Sequence, residues 1–329
     1  MIYGHKMKSK VEEITSRLND LADERNKLGL LGVNVKAKTG SKGKNVQTSL
    51  IDKSTVLGRE ADADSLIAKL LEDEDLNRKV SVMSIVGLGG IGKTTLAKIL
   101  YNDEKVMAHF ELRVWVCVSD EFSVFNISNA IFQAVDGHNQ DFASLDLLHV
   151  ALKEKVANKR FLVVLDDIWN EDHSQWELLK SPFLVGSTGS KIIVTTRKNK
   201  VALVMDSAQP HMLKGLSDEI ALSLFAYNAL NEDNFDEYPS LKVIAKGIIK
   251  KCDGLPLALI ALGRVLKIKG TNIDEWEELL NSEIWDIEDG GGILPALKLS
   301  YYDLPLHLKQ LFAYCSFFFQ KTTYSTRIN

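Results

Sequence analysis

The sequence predicts an α/β protein in which a parallel sheet lies between two layers of helices and is followed by a helical region. Three observations carry that prediction. Short β-branched runs alternate with amphipathic stretches from about residue 60 to residue 215, which is the βαβα rhythm of a parallel sheet. The first of these runs leads directly into a glycine-rich loop and then a helix. Beyond about Gly215 the strand signals fade and helical periodicity takes over.

Taken in order, Met7, Val11, Ile14, Leu18, Leu21 and Leu28 form one stripe of an amphipathic helix. Two partners suit that stripe, the next domain or the other helices of a bundle or coiled coil. Gly32 to Ser54 has no period, five lysines and one acid, the composition of a flexible linker. Ala61–Leu76 reads as a helix and Lys79–Val86 as a strand. Further strands follow at Arg113–Val118, Phe161–Leu165 and Lys191–Thr195, with helical stretches at Asn126–Val135, Leu145–Ala157 and Trp176–Leu179 between them. The later helices are Glu219–Asn228, Ser240–Lys251, Leu257–Leu266, Trp276–Leu280 and Leu294–Tyr301. No repeat with a period of about 20 to 50 residues is present.

Length and charge exclude several classes. The 329 residues are enough for two or three units. Forty basic against 44 acidic side chains give a net charge of -4, without the basic excess of a phosphate-backbone binder, so no nucleic-acid partner is expected. Three widely spaced cysteines, Cys117, Cys252 and Cys315, fit neither a disulfide framework nor a zinc site, and point to a reducing compartment. The N-terminus places charges where a signal peptide needs its apolar stretch. The longest uncharged apolar stretch, Gly254–Gly263, is ten residues and contains Pro256, against about 20 for a membrane span.

The chemistry concentrates in three strand ends. Gly87-Leu-Gly89-Gly90-Ile-Gly92-Lys93-Thr94 fits the phosphate-binding loop G-x-x-x-x-G-K-[ST], set between a strand and the helix TTLAKIL. Its glycines allow backbone N–H groups to converge on phosphate oxygens at the positive end of the helix. Lys93 adds a point charge and the Thr94 hydroxyl suits Mg²⁺, so the expected ligand is a nucleoside di- or triphosphate. Arg160–Asp167 is an apolar strand ending in two carboxylates. Asp166 is the Mg²⁺ candidate and Asp167 the residue to orient or deprotonate a water. Because strand side chains alternate, only one of the two is expected to face the metal. Lys191–Arg197 ends a third strand in an arginine able to reach a γ-phosphate. Pro256 suits the first turn of a helix.

Together, LGRE (Leu57–Glu60), GLGGIGKTT, VWVCVSDEF, FLVVLDDIW, GSKIIVTTR, CDGLPLALIALG and FAYCSFFF resemble, in order, the NB-ARC module of plant nucleotide-binding leucine-rich-repeat disease-resistance proteins. The match covers about residues 55 to 318. Trp169 and RVWVCVS look like the coiled-coil subclass, and residues 6–31 look like the last helix of its N-terminal four-helix domain. The resemblance implies a P-loop NTPase sheet followed by a helical subdomain and an incomplete winged-helix subdomain. It divides the chain into 1–31, linker 32–54, nucleotide-binding domain 55–215, helical subdomain 216–272 and truncated winged-helix subdomain 273–329. By position it places the phosphate loop on Gly87–Thr95, the metal-binding aspartate on Asp166 and the γ-phosphate sensor on Arg197. Gly58 and Arg59 fall in the adenine-contacting segment, and Pro256 falls near base and ribose.

The implied function is a cytoplasmic ADP/ATP and Mg²⁺ switch, off with ADP and on with ATP, and at most a slow ATPase. A turnover ATPase with mechanical output shares Lys93, Asp166 and Asp167 and is the alternative, and a nonfunctional fragment is a third reading. Departures from the family pattern include Leu311, Phe319, the absence of an MHD segment and the absence of leucine-rich repeats. Leu308–Phe319 is expected to expose apolar surface and favour self-association, with contacts to other receptor chains as the second partner class.

Overall fold

A computed structural model describes residues 48–53, 56–72, 79–118, 122–207, 209–282 and 285. The stripe starting at Met7, the linker up to residue 47, Leu294–Tyr301, Leu308–Phe319 and the winged-helix expectation beyond residue 285 lie outside them. The described residues all fall within one compact unit that begins at Thr48.

Five parallel strands form one sheet in the order β2-β3-β4-β1-β5. They are β1 Val80–Val86, β2 Leu112–Cys117, β3 Phe161–Asp166, β4 Ser190–Thr196 and β5 His211–Met212. The three central strands β3, β4 and β1 stop in register at one edge, and the chemically distinctive residues sit there. β3 and β4 are buried along their whole length, as the apolar runs Phe161–Leu165 and Ile192–Val194 predict for strands covered on both sides.

The pleat divides the core. Leu162, Val164, Ile193 and Ile85 point to one face and pack under α1 (Glu60–Leu71), α2 (Lys93–Tyr101) and α3 (Glu104–His109). Val163, Leu165, Ile192 and Val194 point to the other, under α4 (Val124–Asp136), α5 (Leu145–Val156), α6 (His173–Lys180) and α7 (Asn199–Val204). The helices start where capping chemistry allows. Asp103 accepts from the N–H groups of Lys105 and Val106 ahead of α3, and Ser123 and Ser144 accept from Asn126 and Leu147 ahead of α4 and α5.

The first core continues into a helical layer made of α8 (Asp218–Leu230), α9 (Pro239–Cys252), α10 (Pro256–Lys269) and α11 (Ile273–Leu280). Gly263 allows α10 to cross α8 closely, since a Cβ there would come within 2.8 Å of the Asn228 Cβ. Trp276 of α11 is fully buried against Phe225 and Phe235, with ring centroids 5.9 and 6.0 Å apart. The expected boundary at residue 272 therefore falls inside a packed layer.

The structure departs from the sequence reading at a few element ends. α1 stops at Leu71 rather than running to Leu76, because Glu72 turns extended and its carbonyl accepts from the Lys191 ammonium at 3.0 Å. α3, α7 and β5 are additional elements, of six, six and two residues, too short to show a period. Within the expected linker, the Ser49 carbonyl accepts from Asn102 Nδ2 at 2.7 Å, which ties residue 49 to the C-cap of α2.

Candidate functional site

The site is built from three loops at the C-terminal edge of the sheet. Gly87 follows β1 directly, its N–H donating to the Thr196 carbonyl at 3.2 Å. Gly90 and Gly92 take φ values of 75° and 102°, a region that side chains with a Cβ rarely enter. Gly92 is the N-cap of α2, so the N–H groups of Lys93, Thr94 and Thr95 open the helix without intrahelical partners. The loop thus presents free donors at the positive end of a helix dipole.

Lys93 is buried, and its ammonium donates to the Leu88 carbonyl at 2.9 Å. Burial pushes Lys93 below the ordinary lysine range, the Arg197 guanidinium adds to that, and the carboxylates of Asp167 and Asp166 pull back. Arg197 makes no hydrogen bond or ion pair among the described residues. Its guanidinium lies 4.6 Å over the Trp169 ring, and a Cβ built on Gly89 would come within 2.9 Å of its Nη1. Two cations therefore converge on the loop, neither of them in an ion pair among the described residues, which suits a phosphate chain.

Opposite them stands a buried carboxylate. Asp166 Oδ1 accepts from the Thr94 hydroxyl at 2.9 Å and from the Thr195 hydroxyl at 2.6 Å. Burial raises Asp166 above the usual carboxylate range, and the two hydroxyls lower it in part. Both donors use Oδ1, leaving Oδ2 for a cation. Asp166 and Thr94 offer the hard oxygen donors that Mg²⁺ prefers, so the residues present fit a Mg²⁺–phosphate ligand.

Asp167 does not continue the strand. Its φ of 62° turns the chain out of the pleat, and its N–H donates to Thr195 Oγ1 at 2.8 Å. The alternation expected to turn Asp167 away from the metal side does not apply, because β3 ends at Asp166. Thr195 holds both aspartates, donating to one and accepting from the other. Sequence reasoning missed it, although a threonine at the end of the apolar run KIIVT was the available signal.

Arg59 is 5% exposed, and its Nη2 donates to the Ile91 carbonyl at 2.7 Å and to the Lys214 carbonyl at 3.0 Å. Its Nη1 pairs with Asp62 at 3.2 Å. Burial lowers the Arg59 pKa and Asp62 opposes the shift. The structure thus places Arg59 against the backbone of the phosphate loop. Gly58, with φ 72°, packs on Ile220 of α8, where a Cβ would come within 2.5 Å. Pro256 is the first residue of α10, and the next N–H, that of Leu257, donates to the Gly90 carbonyl at 3.2 Å. Beside the loop lies a groove of about 750 Å³ between Leu88, Ile91, Leu213, Leu216, Gly254 and Leu255.

The NB-ARC domain pattern matches residues 59–234 of this chain. The chain belongs to the NB-ARC family. The match starts at Arg59, spans the phosphate loop, Asp166 and Arg197, and ends before Pro256. Among curated relatives, the NB-ARC chain is 42% identical over 315 residues to a putative disease resistance RPP13-like protein 1 of Arabidopsis thaliana, covering 95% of this chain and 30% of that protein. It is 36% identical over 317 residues to a putative disease resistance protein RGA1 of Solanum bulbocastanum, covering 96% and 32%. It therefore spans about a third of the length of these plant relatives. Among solved structures, a chain of the Drosophila ORC bound to DNA aligns over 81% of this chain and 74% of its own, at 14% identity and a TM-score of 0.49. That likeness is too distant to carry an argument. Among the described residues no helix is long and apolar enough to cross a membrane.

Proposed function

We propose that this chain is the ADP/ATP switch module of a plant immune receptor acting in the cytoplasm, off with ADP and on with ATP. The observation that carries the reading is the hydrogen bond from the Leu257 N–H, at the start of α10, to the Gly90 carbonyl of the phosphate loop. Arg59 adds a second tie, joining the loop at Ile91 to the segment that leads into α8. Any change in the loop on nucleotide binding therefore acts on the helical layer. A ligand shifts such an equilibrium only by binding the two arrangements unequally.

A bound Mg²⁺–nucleotide supplies the anionic phosphate chain and the divalent charge. Around it, the loop Gly87–Thr95 wraps the phosphates, held by the Lys93 ammonium and by the N–H groups of Gly89, Gly90, Gly92, Lys93, Thr94 and Thr95. Asp166 and Thr94 hold the metal. Asp167 orients or deprotonates a water, and its role as base is confined to slow turnover. Arg197 meets the γ-phosphate and so distinguishes ATP from ADP. The groove beside the loop has the size of a small-molecule site, and with Pro256, Gly58 and Arg59 near its surroundings we assign it to base and ribose. We take the nucleotide-binding domain as 55–215 and, from the packing of Trp276, extend the helical subdomain through α11.

The test is the nucleotide released by heat from the purified chain, together with steady-state hydrolysis. The switch reading expects retained ADP and turnover well below about 1 s⁻¹. Sustained turnover at or above that rate would instead make the chain a mechanical ATPase, and failure to bind either nucleotide would overturn the reading.

A further inference from the structure

Trp169 lies just beyond the two aspartates, and none of the roles above uses it. It is about a third exposed, and the Arg197 Cζ sits 4.6 Å over its ring. The same guanidinium also lies close to Gly89, where a Cβ would come within 2.9 Å of Nη1 and 3.1 Å of Cζ. The arginine thus lies against the indole and close to the backbone of the phosphate loop.

The loops after β3 and β4 are fastened together on both sides of this contact. The Ile168 N–H donates to the Thr195 carbonyl at 2.9 Å, and the Thr196 hydroxyl donates to the Ile168 carbonyl at 2.7 Å. Two residues past the indole, Glu171 pairs with Lys198 at 2.7 Å and with Lys200 at 2.8 Å. Trp169 and Arg197 are therefore kept opposite one another by bonds made by their neighbours.

We propose that Trp169 is a positioning residue for Arg197, holding the guanidinium at the loop before a triphosphate arrives and so setting the preference for ATP over ADP. The proposal rests on the reading of Arg197 as the γ-phosphate contact. Its chemical logic lies in the kind of contact. A carboxylate partner would occupy the N–H donors and compete with phosphate, whereas an aromatic face restrains the planar cation and leaves its donor edge free. Arg197, without a hydrogen bond or ion pair among the described residues, is in that condition.

Affinities for ADP and for a non-hydrolysable ATP analogue, both with Mg²⁺, should be measured on the full chain and on W169L, W169F, R197A and the double variant W169L/R197A. A melt without nucleotide confirms that each variant folds. W169L is expected to weaken the ATP analogue about two- to fivefold, the worth of a partly exposed cation–π contact, and to leave ADP unchanged. W169F should restore the ratio because it keeps an aromatic face, and W169L should add nothing in the R197A background. If R197A lowers the ratio but W169L does not, or if W169F fails as W169L does, the positioning role is overturned and the reading of Arg197 stands. If R197A leaves the ratio unchanged, the reading of Arg197 fails and this inference fails with it.

Discussion

Replacing Thr195 by valine removes one hydroxyl from the site and almost no volume. Thr195 is fully buried, donates to Asp166 Oδ1 at 2.6 Å and accepts from the Asp167 N–H at 2.8 Å. Valine leaves a buried carboxylate short of a donor and a backbone N–H without its acceptor. A hydrogen bond to a charged group is worth about 1.5–3 kcal/mol and an orphaned buried donor costs about 1–3 kcal/mol. The two losses together come to roughly 2.5–6 kcal/mol, a large part of a domain stability of about 5–15 kcal/mol. For a unit of this size that lowers the melting temperature on the order of 5–25 °C. Thr195→Ser keeps the hydroxyl and should recover most of the loss. The substitution also reaches function. With Thr94 as its only hydroxyl donor, Asp166 rises further above the usual carboxylate range, so Thr195→Val should need more Mg²⁺ for the same nucleotide affinity at a given pH. Thermal melts and Mg²⁺ titrations on the three proteins decide it. A Thr195→Val melt within about 2 °C of the original, with unchanged Mg²⁺ dependence, would refute the role given to this residue.

The two aspartates should separate on substitution. Asp166→Asn should weaken Mg²⁺-dependent ATP binding, whereas Asp167→Asn should mainly slow hydrolysis, and equal effects on Mg²⁺ dependence would remove that division. Cys252 provides a pH signature, because burial pushes its thiol up to about 12 from an ordinary value of 9.0. Above pH 9 the unfolded chain loses this proton while the folded chain keeps it, so the group's contribution to stability, intact below pH 9, falls as pH rises towards about 12. Iodoacetamide at pH 8 should accordingly modify the Cys252 peptide only after denaturation, and modification of native protein at the unfolded rate would contradict the burial of α9 on the core.

Much of this architecture was legible because burial on both faces leaves a strong trace. FLVVL and the IIV of Ile192–Val194 have no polar residue until the chain reaches the C-terminal edge of the sheet, and there the polar residues are the site. The glycine pattern of the phosphate loop was readable for a related reason, since Gly90 and Gly92 take backbone angles that few other residues tolerate. Tertiary partners were not legible. Nothing local in the sequence shows that Arg59 reaches the Ile91 carbonyl 32 residues away, or that the Leu257 N–H meets Gly90. The backbone turn at Asp167 was not legible either. Adjacent aspartates at a strand end read as alternating faces, but a single residue at positive φ ends the pleat and cancels the alternation. Trp169 stood out only through resemblance, because cation–π contacts between two loops leave no periodic trace.

The central claim is that the loop from Gly87 to Thr95, closed by Asp166, holds a Mg²⁺–nucleotide through Lys93. Calorimetric titration of ADP with Mg²⁺ into the original chain and into Lys93→Ala tests it most directly. The account predicts saturable binding by the original chain and a loss of about ten- to hundredfold in the variant, with little change in the melt of either protein without nucleotide. Equal affinities in the two proteins, or no binding by the original chain, would contradict it.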